Sequence, residues 1–316
     1  VADLGRPAMS RLRELVADYL RLRRSLGYKL VEHERFLNQF LEYLEKNQAT
    51  TITAENALAW AKLPAGASPR WHGARLSAVR GFAAWAQAFN RDIQVPPTGL
   101  LPMRTTRATP YLYSEDQICA LMNAAAGLVP RVKSATFQTL IGLVAVTGMR
   151  AGEAIRASVT DLDLDAGTLT VRGTKFGKTR LLPLHASVVD ELRVYLTFRS
   201  TAALPGTTAL LVSVAGTRLT YGNAQTVFKK LTAEAGITPR SGACRPRMHD
   251  LRHSFAVNTL LDAYRSGGDV GERLPLLSTY LGHTEPANTY WYLHAAPELM
   301  ALAADRLNTS YALDER

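Results

Sequence analysis

The sequence predicts a mainly α fold with one small antiparallel β-sheet, divided between two domains. Three observations carry that prediction. Apolar residues recur at helical spacing over most of the chain. Between Leu164 and Leu184 the period drops to two around a turn. The stretch Arg91–Pro110 loses periodicity and gathers Pro96, Pro97, Pro102 and Pro110. At 316 residues, 47% hydrophobic and 20% charged, the chain can bury two cores.

Taken in order, residues 9–27 place Leu12, Leu15, Val16, Tyr19 and Leu22 on one helical face, and Gly27 ends the helix. A second helix runs from about Val31 to Lys46 through Phe36, Leu37, Phe40, Leu41 and Leu44. Thr53 can cap a third, through Trp60, and Trp71–Phe89 forms a fourth. These make a helical domain of residues 1–92, followed by a basic, Pro-stiffened linker of residues 93–110. The second domain, residues 111–316, opens with a capping-box pattern at Ser114 and Gln117, leading a helix through Ala125. Helices follow at Ser134–Val146 and Ala151–Ala157, with Gly148 as a terminator between them. Thr168–Arg172 and Thr179–Leu184 alternate as strands after the turn Asp165-Ala166-Gly167. Further helices are expected at Ser187–Arg199, Tyr221–Ala235, His249–Tyr264 and Pro275–Tyr280, and near the C-terminus at Pro297–Asn308. Ser266–Arg273, with three glycines and mixed charges, reads as a surface loop.

The net charge of +10 and pI near 9.7 point to a polyanionic partner. The excess is uneven: residues 1–110 hold 16 Lys and Arg against nine Asp and Glu, the rest 21 against 18. The first helix carries Arg11, Arg13, Arg21, Arg23 and Arg24, and the linker carries Arg104 and Arg107. Of these, Arg11, Arg21, Arg23, Arg24, Arg104 and Arg107 are the candidates for gripping a phosphate backbone. The cysteines, Cys119 and Cys244, form neither a disulfide framework nor a metal spacing; core filler and loop residue are their expected roles, and a reducing cytoplasm fits. Ala135–Met149 is too short to span a bilayer, and no signal peptide is visible, so no membrane role is expected.

The chemistry gathers in Met248–Tyr292. His249 and Arg252 stand three apart in H-D-L-R, so they share a helix face. His283 follows in L-G-H, and Tyr292 lies nine residues beyond it. Two imidazoles, a guanidinium and a phenol can hold a phosphate and attack it with an oxygen nucleophile. A cleaving phosphodiester gathers negative charge on its nonbridging oxygens, which arginine forks pair with while staying protonated. A phenol has a pKa of about 10, so it needs a base or nearby positive charge to attack at neutral pH. His249 can take that proton and His283 can donate to the phosphate. A lysine on the hairpin can protonate the leaving oxygen. No carboxylate cluster suited to Mg²⁺ accompanies these groups, so no metal and no cofactor are expected.

These motifs resemble the tyrosine recombinase (phage integrase) family, including mobile-element and Xer-type site-specific recombinases. The segment T-G-M-R-A-G-E matches the family's first box, which implies a catalytic role for Arg150 and a supporting one for Glu153. G-T-K-F-G-K-T-R-L-L-P-L resembles the family's β-hairpin and implies Lys175 as the catalytic lysine, with Lys178 its rival. H-D-L-R-H, L-G-H and Tyr292 complete the catalytic set of Arg150, Lys175, His249, Arg252, His283 and Tyr292. Tyr290 is the alternative nucleophile; the interval from His283 favours Tyr292. His253 and His294 are read as supporting residues. The resemblance implies a SAM-like helical core-binding domain and a mixed α/β catalytic domain. It also implies transesterification through a 3′-phosphotyrosyl bond and a Holliday junction, without metal or ATP. The expected partners are double-stranded DNA with inverted half-sites and a tetrameric synapse, of one recombinase or of two, in the bacterial cytoplasm at the nucleoid. A mobile-element enzyme is favoured; a chromosome-dimer resolvase of Xer type and a type IB topoisomerase-like strand transferase are the alternatives.

Overall fold

The computed structural model describes residues 8–102, 109–173, 179–282, 289–290, 298–302 and 304. The chain is mostly helical with a three-stranded antiparallel sheet. It divides into two compact units, Val1–Arg107 and Ala108–Arg316.

The first unit holds α1 (Ala8–Ser25), α2 (Val31–Lys46), α3 (Ala54–Lys62) and α4 (Pro69–Ala86). Each start has its own cause. Thr53 caps α3 by accepting from Asn56 N at 3.1 Å, and Ser68 caps α4, whose first residue is Pro69. Leu37, Phe40, Leu44, Ala57, Val79 and Phe82 are wholly buried and tie the helices into one core. Arg75 is buried within it, stacked 3.8 Å over the Trp60 ring and donating to the Trp60 carbonyl. Arg80 anchors the start of the linker by donating to the carbonyls of Pro96 and Pro97.

In the second unit, α5 (Glu115–Ala126) opens with the complete Ser114–Gln117 capping box. Helix α6 (Arg131–Thr147) is the central element, packed against α5, α8 (Ala186–Ala202) and α10 (Asp250–Arg265). Gly148 ends α6 at φ 60° and turns the chain into α7 (Ala151–Arg156). The sheet runs β1 (Leu162–Asp163), β2 (Thr168–Val171), β3 (Arg180–Pro183), with Val171 opposite Arg180 and Leu169 opposite Leu182. Strand β1 is a third strand that period-two alternation could not reveal, because two residues carry no period. Helices α9 (Tyr221–Glu234) and α11 (Val270–Leu281) follow, and residues 289–290 and 298–302 are helical.

Two expectations need correction. Only the first half of Ser266–Arg273 is a turn. Asp269 caps α11 by accepting from Gly271 N and Glu272 N, so the helix begins at Val270, five residues before Pro275. The cysteines also differ from expectation: Cys119 lies exposed on α5 instead of filling the core, and Cys244, in a loop as expected, is buried. None of the described helices is long and apolar enough to cross a membrane.

Candidate active site

The site forms where α6 ends, α7 and α10 begin, and α11 ends. Arg150 is the residue before α7, and Glu153 sits at that helix's third position. The Glu153 side chain, 1% exposed, accepts from Arg150 N at 3.0 Å and from Arg150 Nη1 at 2.7 Å. It also accepts from Arg180 Nη2 at 2.7 Å and Nη1 at 3.3 Å. Burial alone pushes this carboxyl up. The hydrogen bonds from Arg180 and Arg150 outweigh burial and bring its pKa from 4.5 to about 2. Glu153 is therefore a fixed anion between two guanidiniums. One edge of Arg150 is spent on it, while the side chain as a whole remains one-third exposed, at 33%.

Arg252 lies in the first turn of α10 and is 1% exposed. Its Nη1 donates to the Gly148 carbonyl and its Nη2 to the Leu281 carbonyl, both at 2.8 Å. The ends of α6 and α11 thus hold this guanidinium with carbonyls that helix termini leave unused. A Cβ at Gly148 would come within 2.3 Å of Phe255 Cδ1, so only glycine lets this carbonyl approach.

His249 precedes α10 and keeps an exposed edge. The protein crowded around it disfavours the charged ring, and the guanidiniums of Arg252, Arg150 and Arg247 disfavour it further. Glu153 opposes them, and the outcome lowers the pKa from 6.5 to about 4. His249 is therefore neutral at physiological pH and able to accept a proton. The His253 ring meets it edge-on, centroids 4.8 Å apart, and His253 Nε2 lies 3.9 Å from Asp250 Oδ1. Asp250 is wholly buried and accepts from Arg247 N, Nε and Nη2, which fixes the start of α10.

Of the residues singled out in the sequence, the structure brings together Arg150, Glu153, His249, Arg252 and His253. Lys175, Lys178, His283, Tyr292 and His294 lie outside the described residues, as do Arg104 and Arg107. Tyr290 is 52% exposed. On α1, Arg21 pairs with Asp18, Arg24 with Glu34, and Arg11 donates to the Phe89 carbonyl, while Arg23 lies 4.1 Å over the Tyr28 ring. The member that sequence reading missed is Arg180. Its partner Glu153 is 27 residues away, a distance no local pattern spans; the R-L-L-P strand was its only signal.

The model of the Phage integrase family matches residues 112–298. The chain is 44% identical to the integrase/recombinase named y4rB of Sinorhizobium fredii, over 95% of this chain and 98% of that protein. It is 28% identical to tyrosine recombinase XerC of Azotobacter vinelandii, over 92% and 93%. Among solved structures, the XerH site-specific recombinase bound to difH substrate matches with a TM-score of 0.60 at 19% identity, covering 94% of this chain and 84% of that one. A lambda integrase dimer bound to a COC′ core site matches at 0.59 and 17%, covering 89% and 94%. At these identities the structures speak for the fold.

Proposed function

This chain belongs to the phage integrase family of tyrosine recombinases, and from that premise we propose that it cuts and rejoins duplex DNA at a specific site through a phosphotyrosyl bond on Tyr292. The observation that carries this reading is the convergence on neutral His249 of Arg150, held by the ionised Glu153, and Arg252, held by helix-end carbonyls. Arginines held by a carboxylate and by helix-end carbonyls are preorganised for an anion, so little reorganisation is needed as charge develops.

The Tyr292 oxygen attacks phosphorus, and its proton passes to His249. The bond from phosphorus to the 5′ oxygen breaks, and Lys175, or Lys178 in its place, supplies the proton that the leaving oxygen needs. Arg150, Arg252 and His283 stabilise the pentacoordinate centre. The freed 5′ hydroxyl of a partner strand then attacks the phosphotyrosine, releases the tyrosine and exchanges the strands. The ester bond conserves the energy, so neither ATP nor a metal is required. His253, through its contact with His249, and His294 support the arrangement.

Exchange between two duplexes calls for four protomers on inverted half-sites and a Holliday junction midway. The helical first unit grips the duplex with Arg11, Arg21, Arg23, Arg24, Arg104 and Arg107. A mobile-element role is the first reading, with which the 44% identity to an integrase/recombinase is compatible. The Xer-type role is the second reading, favoured by end-to-end alignment with XerC at 28%. Strand exchange between two labelled sites, against relaxation alone, separates both from a topoisomerase-like activity. The central test is a nicked suicide duplex. Tyr292→Phe retains affinity and forms no covalent adduct, and cleavage survives EDTA. An adduct lost in Tyr290→Phe and kept in Tyr292→Phe overturns the assignment.

A further inference from the structure

We propose that Arg180 is a positioning residue of the recombinase centre: it grips the Glu153 carboxylate from β3, so that Glu153 in turn fixes Arg150 toward the scissile phosphate. The inference rests on the function proposed above and deepens it.

The geometry is that of a shared anion. Glu153 receives Arg150 through its backbone N–H and Nη1, and Arg180 through Nη1 and Nη2. With Arg150 alone, the carboxylate would cancel the charge meant for the phosphate. With Arg180 added, the trio carries a surplus positive charge and each Glu153 oxygen accepts from both arginines. Arg180 is only 13% exposed, so this charge is not a solvated surface charge.

Its place in the chain gives Arg180 a second attachment. It is the first residue of β3, paired with Val171 across the sheet, and it closes the segment that holds Lys175 and Lys178. Its guanidinium packs against Gly282, where a Cβ would meet Nη1 at 3.0 Å; Gly282 immediately precedes His283. At the hairpin's other shoulder, Arg172 pairs with Asp161 at 2.6 Å, on an exposed side chain. Both shoulders are pinned to carboxylates, and Arg180 is the one whose carboxylate also holds Arg150. One guanidinium therefore ties the first box, β3 and Gly282 at the end of α11 together.

Removing Arg180 should leave a telling signature. The charged groups facing Glu153 are Arg150 from the start of α7 and Arg180 from β3, and the titratable, neutral His249 faces it from the start of α10. Without Arg180, burial of the carboxyl is opposed by Arg150 alone, so Glu153 takes up a proton at a higher pH and releases Arg150.

The experiment first incubates the wild-type chain with nicked duplexes whose half-sites are randomised, and sequences the DNA recovered as covalent adduct. No adduct from any duplex overturns the recombinase reading and the Arg180 role with it. With a trapped duplex in hand, single-turnover cleavage and binding are compared for Arg180→Met, Arg180→Lys, Glu153→Gln and the Glu153→Gln, Arg180→Met pair. Arg180→Met is expected to cleave about tenfold or more slowly, with its dissociation constant changed by less than about threefold. Arg180→Lys restores part of the rate. The double variant is no slower than the slower single one, since both changes break the same link. All variants share the acid limb of His249; Arg180→Met alone gains a further limb from Glu153, absent from the double variant. Multiplicative losses in the double variant, an Arg180→Met profile identical in shape to that of the wild type, or a loss accounted for by affinity overturn the Arg180 role while leaving the recombinase reading intact. Should Arg180→Met fail to fold, Arg180→Lys with and without Glu153→Gln makes the same comparison.

Discussion

Gly148 ends α6 at φ 60°, and its carbonyl accepts from the buried Arg252 guanidinium. A methyl group there meets two penalties, the left-handed backbone and contact with Phe255 and Leu281. Gly148→Ala is therefore expected to cost about 2–4 kcal/mol and to lower the urea midpoint, with a loss of cleavage as Arg252 shifts. Protonation acts on the same site. His249 titrates at about 4 in the folded chain against 6.5 ordinarily, so the unfolded chain takes up the proton first. Stability from this group is present above about pH 6.5 and is lost as pH falls toward 4. Glu153, held at about 2 against 4.5, adds a loss of the same sign at lower pH. Urea midpoints measured from pH 7 to pH 4 should fall, and His249→Asn should flatten that slope. A wild-type slope equal to that of His249→Asn overturns the assignment. Bound phosphate brings negative charge to the ring, so the acid limb for cleavage of prebound DNA should lie above that of the free protein. At this scale Arg150, Glu153, His249 and Arg252 were legible because each falls in a short motif. Arg180 was not, since its contacts to Glu153 and Gly282 exist only once three distant segments have packed.

The starts of α3 and α5 were legible from the hydroxyl that precedes each apolar stripe. Thr53 and Ser114 both cap as their sequence patterns indicate. Helix α11 was missed in part because three glycines drew attention to a loop. The signal was nonetheless present: Asp269 followed three residues later by Glu272 is an N-terminal pattern. This cap bears on the site, because α11 ends at Leu281, whose carbonyl holds Arg252. Asp269→Ala leaves Gly271 N and Glu272 N without their acceptor and should destabilise by about 1 kcal/mol. Asp269→Asn should recover most of it. Thermal melts of the three proteins check this, and an unchanged midpoint for Asp269→Ala would show that the cap carries no weight. Strand β1 stayed hidden for a different reason: it consists of two residues paired with Leu169 and Thr168, and its existence depends on β2.

At the scale of the whole chain, formal charge and available charge differ. Residues 1–110 carry most of the +10, yet Arg13, Arg21, Arg24 and Arg35 are each paired with a carboxylate in the first unit. Exposed pairs of this kind are weak, so a phosphate can replace the carboxylate. Arg21→Ala should reduce the salt dependence of DNA affinity by about one unit of slope. The charge of buried Arg75, by contrast, is spent on Trp60. The C-terminal helical residues raise the larger question. Leu299 is 1% exposed and sits among Ala256, Val257, Leu260, Leu277 and Leu281 of its own chain, with Leu302 against the same cluster. The single chain therefore covers the α10–α11 face with its own tail; the resemblance to tyrosine recombinases implies a different use in a synapse, in which the tail docks into a neighbouring protomer and couples cleavage to synapsis. The two are compatible if assembly exchanges one apolar cover for another, because the stripe needs a groove in either setting. A mixing experiment decides it. One protein lacks residues 297–316 and keeps Tyr292; the other is full length and carries Tyr292→Phe. Only the first can form an adduct, and only the second can donate a tail. Trans action predicts a weak adduct from the truncated protein alone and a recovery of about tenfold or more on mixing. If mixing restores nothing while full-length wild type cleaves normally, the tail serves only the chain that carries it.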